Sequence, residues 1–361
     1  MRLVHLSDIH LSNSNYHEFV HKYRKALISD LKNFNALKKI DTLLITGDLV
    51  DKGGHSLLEI KGFDGYKNPY DIFDEVFIQP ILEGVGISKD NILFIPGNHD
   101  VNEREFSYYD ECELIDKIDE SSIESFLKDN QSTFLHNERI KNFKEFERAF
   151  HLNNSLYDFS NNHSTYIYNY ADEFKIGFIL INDSWRCKTR KFIGEEESKI
   201  FFGYHQLDYG LEYFETHKTD LNICLFHHSL DDYAEKKEVE RILRTKEIEL
   251  FLYGHYHNTK FEYSYDPFGS CVGIRGRAAL NRPEEKISEY QPGYQIIDLD
   301  LNSYKVNKIH YRKYIYNGSR FDSDTETALG GIVQDQQVFI LRRENRTSKG
   351  FDLDREKFYK S

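Results

Sequence analysis

With 361 residues, the chain is long enough for one large α/β domain or two smaller ones. Its formal net charge is −13 with no basic tail, which disfavours nonspecific binding to polyanions, although a bound pair of dications would invert the field at one site. No run approaches the ~18 consecutive apolar residues that cross a bilayer, and the chain opens on a strand-like segment without a cleavable leader. A cytoplasmic protein is therefore expected, with Cys112, Cys187, Cys224 and Cys271 as reduced thiols.

The first hundred residues alternate between strand and helix patterns. Strands are expected at Leu3–Ser7, Thr42–Thr46 and Ile92–Pro96. Between them, Phe19–Phe34 carries apolar residues at helical spacing, as does Tyr70–Leu82, whose end Pro80 should disturb. Such alternation implies a parallel core with crossover helices. Residues 101–163 are richer in charge and Asn, with helical periodicity through Phe126, Leu127, Phe134, Leu135, Phe143, Phe146 and Phe150. They read as a helical insertion packed over the strand ends, either a solvated hairpin or a cap shaping a pocket.

Strands resume at Ser164–Tyr170 and Lys175–Asn182. Then come a helix at His205–His217, a strand at Leu221–Phe226, a charged helix at Lys237–Arg244 and a strand at Ile248–Tyr253. Beyond Gly254 the pattern is β-rich: Thr259–Tyr265, Ser270–Ile274, Tyr294–Leu299 and Tyr304–Tyr311. One domain is expected over 1–315, and 316–361 reads as a tail or an edge extension.

Five polar motifs each follow an apolar run: Asp8-Ile9-His10, Gly47-Asp48-Leu49-Val50-Asp51, Gly97-Asn98-His99-Asp100, His227-His228 and Gly254-His255-Tyr256-His257. Strand ends on one side of a sheet lie close together, so motifs distant in sequence can converge. Their carboxylate, imidazole and carboxamide groups are the ligand types of a hard-to-borderline divalent metal.

This ordered set resembles the calcineurin-like metallophosphoesterases over about residues 1–300, close to their phosphodiesterase and DNA-repair exonuclease branches. The resemblance implies a four-layer α-β-β-α sandwich of two mixed sheets. It also implies two divalent ions, manganese favoured with iron or zinc as alternatives, that generate hydroxide from water and clamp a phosphoryl group. By motif match, Asp8, His10 and His257 hold one ion, Asn98, His227 and His255 hold the other, and Asp48 bridges. His99 would protonate the leaving oxygen. Asp51 would orient His99, or merely cap its turn. His228, Asn102, Arg104 and Lys52 are candidate substrate contacts. Lys52 takes the place of an arginine that binds phosphate in the protein phosphatases, though it could equally be an exposed lysine. Ser229 stands where the phosphodiesterase branches often have proline.

The reading that follows is a phosphodiesterase for nucleotide or nucleic-acid substrates. Three others stay open: a phosphomonoesterase such as a protein phosphatase, a nuclease effector domain of a larger assembly with a protein partner, and a non-catalytic binding scaffold. A membrane partner is not expected.

Overall fold

Alternation of side chains along the strands decides how the layers stack. The computed structural model describes residues 1–105, 118, 119, 121–134, 137–187, 200–267, 269–280 and 283–340. The expectations for Cys112, Leu135 and 341–361 lie outside these residues. The first sheet contains β1 (Arg2–Leu6), β2 (Thr42–Thr46), β3 (Ile92–Ile95), β11 (Gly293–Asp300), β12 (Lys305–Ile315), β13 (Arg320–Ser323) and β14 (Ile332–Ile340). The second contains β4 (Tyr157–Phe159), β5 (Ser164–Tyr170), β6 (Phe174–Leu180), β7 (Leu221–Leu225), β8 (Leu250–Tyr253), β9 (Lys260–Asp266) and β10 (Gly269–Arg275). Both sheets are mixed: β1–β2–β3 and β6–β7–β8–β10 run parallel, while β11, β5 and β9 pair antiparallel with them.

In β1 to β3, Leu3, Leu44 and Leu93 join Ile223, Leu225 and Leu252 in an apolar layer between the sheets. The intervening Val4, Leu43 and Phe94 face outward onto the helices, where Leu27, Leu31 and Ile81 cover them. On the far side, Cys224 and Phe251 are covered by Leu207 and Phe214 of helix His205–His217 and by Val239 and Ile242 of helix Lys236–Thr245. This period-two division produces the four-layer α-β-β-α sandwich. Parallel strands place the ends of β1, β2, β3, β7 and β8, and with them all five motifs, at one edge of the sandwich.

Two helices differ from the sequence expectation. The first helix starts earlier and continues longer, as Asn13–Glu18, a π turn at Phe19–Tyr23 and Arg24–Leu37. Pro80 does not end the second helix. Pro69–Phe73 passes through a π turn, Asp74–Ile78, into Gln79–Val85, and Gly86 stops it in the left-handed region at φ +81°. Proline has no N–H for the Val76 carbonyl four residues back. Arg24 Nη1 donates to that carbonyl instead, at 2.8 Å.

The insertion divides between two places. Helix Lys141–Phe150 belongs to the outer layer, with Phe146 stacked on Phe94 of β3 at 5.2 Å and on Tyr70 at 5.7 Å. Among the insertion's described residues, helix Ile123–Asn130 lies near a strand end, packing Ile123 and Leu127 against Trp185 just beyond β6. The described part of 316–361 extends the first sheet, because β13 and β14 both pair with β12. There Phe321 packs its ring on Tyr23 and Tyr294, and Arg277 Nη1 holds the buried Asp324 carboxylate at 3.1 Å. Among the described residues, no helix is long and apolar enough to cross a membrane.

Candidate metal centre

At the common strand edge the backbone leaves extended geometry abruptly. Asp8, His10, Asp48, His255 and His257 all have positive φ, between 48° and 73°. Such conformations cost a non-glycine residue about 1–3 kcal/mol each and persist only where the surroundings impose them. Glycine is required beside them. A Cβ at Gly97 would collide with the Asp48 carboxylate, and one at Gly254 would collide with Ser7 and Asp8.

The side chains so placed form two adjoining groups. In the first, His10 Nε2 lies 3.3 Å from His257 Nε2, and His257 Nε2 lies 3.4 Å from Asp8 Oδ1. In the second, Asn98 Oδ1 is 3.1 Å from both His227 Nε2 and His255 Nδ1. Asp48 stands between them, with Oδ2 3.5 Å from His10 Nε2 and 3.4 Å from His227 Nε2. The structure thus brings all seven expected ligand residues together.

Electrostatics follow from this crowding. Burial opposes ionisation of Asp8, but the His257 imidazole 3.4 Å away and the charge of His227 hold its carboxyl at about 2. Asp48 is likewise buried, yet His227 and His10 keep it well below the usual carboxylate range. Burial would lower His227, but Asp48 lifts it to about 9. His255 falls to about 3 through burial and the neighbouring His228 and His227.

His99 stands beside the first group, its ring centroid 4.5 Å from that of His10. Its Nδ1 is 2.7 Å from Asp51 Oδ1, and its backbone N–H donates to Asp48 Oδ1 at 2.7 Å. Burial pushes the imidazole toward neutrality, but Asp51 and Asp48 overcome it and raise the His99 pKa. A cavity of about 690 Å³ adjoins this pair, lined by Asp51, Lys52, His55, Arg104, Ser12 and Glu59 among others.

The other expected contacts separate. Lys52 and Arg104 line that cavity. Asn102 is buried, its Oδ1 accepting from His55 Nε2 at 2.6 Å and from Arg104 N at 3.1 Å, so it steadies the cavity wall. His228 is fully buried, with Nδ1 2.9 Å from Asp183 Oδ2 and Nε2 3.6 Å from Cys187 Sγ. Cys187, Cys224 and Cys271 are buried free thiols.

Two carboxylates were missed. Asp183 accepts from His227 N, His228 N, His228 Nδ1 and Tyr233 Oη, which ties the β7 loop to the end of β6. Burial opposes its ionisation, but His228 and His227 hold it at about 2. A signal existed, since Asn182-Asp183-Ser184 is a sixth polar cluster at a strand end. Asp100 accepts from Leu49 N, Val50 N, Gly97 N and Tyr70 Oη, joining the β2 and β3 loops. Burial and the nearby Asp48 charge raise it to about 7.

Comparison with known proteins identifies the family. The model of the calcineurin-like phosphoesterase family matches residues 1–259, and the chain belongs to that family. A metallophosphoesterase-like protein of Bacillus subtilis, YydB, is 23% identical over 282 residues, covering 72% of this chain. The match takes in 50% of YydB, so the chain spans about half the length of the curated relative it matches. Among solved structures, a 5′-nucleotidase precursor from Thermus thermophilus is similar over 83% of this chain and 52% of its own, at 12% identity and a TM-score of 0.42. The NAD nucleotidase of Haemophilus influenzae is similar over 82% of this chain and 46% of its own, at 12% identity and a TM-score of 0.41.

Proposed function

From that family membership we propose that the chain is a two-ion phosphodiesterase acting on nucleotide-like esters, with manganese the favoured metal. One observation carries the reading: a single carboxylate oxygen, Asp48 Oδ2, faces a histidine nitrogen of each donor group, at 3.5 and 3.4 Å. The residues suit a pair of cations. Asp8 Oδ1 is buried without a hydrogen-bond partner, a costly arrangement unless a cation takes that oxygen. His227 Nδ1 lies 2.8 Å from the Thr46 carbonyl, so donation there leaves the Nε2 lone pair free for a metal. Asp8, His10, Asp48 and His257 would hold one ion, and Asp48, Asn98, His227 and His255 the other. When bound, such ions supply an activated water and neutralise the phosphoryl oxygens.

The rest of the reaction belongs to the chain's own groups. His99 Nδ1–H donates to Asp51, which leaves Nε2–H to protonate the departing oxygen. Asp51 steadies the imidazolium, and the hydrogen bond from His99 N to Asp48 fixes the loop to the site. The cavity beyond Asp51 gives a leaving alcohol room, and the short Gly97-Asn98-His99-Asp100 form, which recurs in the family's phosphodiesterase branches, favours a diester.

The test compares bis-p-nitrophenyl phosphate with p-nitrophenyl phosphate after loading with manganese, iron(II) or zinc. The diester should turn over faster, and EDTA should abolish the activity. Faster turnover of the monoester would overturn the diester preference. Inertness with every metal would overturn the assignment.

A further inference from the structure

We propose that Tyr256 is a stacking platform for a nucleobase on the ester arm that stays with the phosphoryl group. The inference rests on the diesterase reading and adds the class of the retained substituent. Tyr256 stands in the chain between His255 and His257, and its ring centroid is 5.1 Å from that of His255. It nevertheless remains 43% exposed. A tyrosine that open normally keeps its rotamer freedom, and restricting it costs entropy.

Two contacts restrict it here. Tyr256 Oη donates to Asp232 Oδ1 at 2.6 Å. The Arg275 guanidinium lies 5.2 Å from the ring centroid, within cation–π range. Both partners are themselves fixed. Asp232 Oδ2 accepts from Ser229 N at 3.0 Å, at the end of the His227-His228 loop. Arg275 donates to the Asn258 carbonyl at 2.9 Å and to Asn258 Oδ1. The ring is therefore pre-set by the two loops that carry His227, His255 and His257. A rigid aromatic face beside a phosphoryl site suits sequence-tolerant base stacking, because every base offers a π face.

The choice of arm follows from His99. His99, Asp51 and the adjoining cavity mark the side where the alcohol departs. Tyr256 touches His255, whose Nδ1 faces Asn98 in the other donor group. A substituent reaching Tyr256 is thus not the one His99 protonates.

Three p-nitrophenyl phosphodiesters with the same leaving group provide the test: the methyl ester, the ester of base-free 2-deoxyribose at its 5-oxygen, and the thymidine 5′ ester. For the manganese-loaded protein, kcat/KM for the thymidine ester should exceed that for the base-free ester by about 5- to 150-fold, mainly through KM. Tyr256→Ala should bring that ratio close to one, and Tyr256→Phe should retain most of it. Equal rates for the two esters, or a ratio that survives Tyr256→Ala, would overturn the proposal. So would Tyr256→Phe behaving as Tyr256→Ala, since the tether to Asp232 and not the ring would then carry the effect. A methyl ester inert with every metal would instead sink the diesterase reading, and this inference with it.

Discussion

Asp183→Asn isolates the carboxylate that supports the second donor group. Asp183 Oδ2 accepts from His228 N at 2.8 Å, His228 Nδ1 at 2.9 Å, Tyr233 Oη at 2.6 Å and, shared with Oδ1, His227 N at 3.1 Å. The best-fitting asparagine puts its oxygen at the Oδ2 position, which keeps the geometry of most of these bonds. Its amide then meets His227 N–H, donor against donor, in a fully buried place. The surviving bonds also become neutral ones, worth about 0.5–1.5 kcal/mol each against about 1.5–3 for bonds to a charged group. Together these losses should destabilise the fold by about 2–4 kcal/mol. The His227 peptide, no longer held from below, should weaken metal binding about 10- to 100-fold. Urea unfolding reads the first quantity, and titration of the apoprotein with manganese or zinc reads the second. If stability stays within about 0.5 kcal/mol of the wild type and metal affinity is unchanged, the positioning argument is wrong.

Other substitutions separate metal holding from proton transfer. Asp48→Asn should abolish hydrolysis and lower the content of both ions, as measured by elemental analysis of the dialysed protein. His99→Ala should lower kcat by about 10²- to 10⁴-fold with metal content near normal, and a variant turning over at the wild-type rate would refute the acid role. Acid stability should depend on buried neutral histidines. Burial, helped by Lys89 and Lys144, lowers His151 to about 3, and burial takes His5 to about 3 as well. These folded-state values lie below the ordinary 6.5, so the unfolded chain binds the extra proton. The contribution of these two histidines should then be constant above about pH 6.5 and fall toward pH 3 by about 1.4 kcal/mol per unit for each group. His151→Phe preserves the stack on Tyr157, whose ring centroid is 3.9 Å away, and should flatten that limb by one proton's slope in urea titrations across pH.

The layered fold was readable because burial on both faces forces near-continuous apolar strands, as in Leu43-Leu44-Ile45 and Ile223-Cys224-Leu225. The site's composition was readable for a related reason. Polar residues at the ends of buried strands have no packing role, so Asp8, Asp48 and His227 stood out against the apolar runs before them. Asp183 is just as polar and just as placed. It escaped notice because two of its four partners are backbone N–H groups, which leave no mark in the sequence, and the other two, His228 Nδ1 and Tyr233 Oη, come from residues far along the chain. The path through Pro80 was hidden likewise, since the group that satisfies the Val76 carbonyl is Arg24, far along the chain from the proline it compensates. The strand at 320–323 was obscured by its polar outer face, with Phe321 its one buried residue.

Backbone strain at the site was invisible in principle, and it bears on the chemistry. Asp and His tolerate a left-handed backbone better than most residues, but nothing in the letters says that Asp8, His10, Asp48, His255 and His257 adopt it here. Five such residues in one cluster imply a strain of about 1–3 kcal/mol apiece that the surrounding layers must sustain. The arrangement gains from it, since each reversal turns a side chain off the sheet and toward the common point where Asp48 faces both donor groups. Replacing His10 by glycine would relieve the backbone and remove the donor. Replacing it by alanine would remove the donor and keep the strain. The alanine variant should therefore be the less stable of the two, against the usual order in which glycine costs about 0.5–1 kcal/mol more than alanine. Urea midpoints for the metal-free pair decide the matter, and the usual order would show that φ +48° at His10 carries no strain.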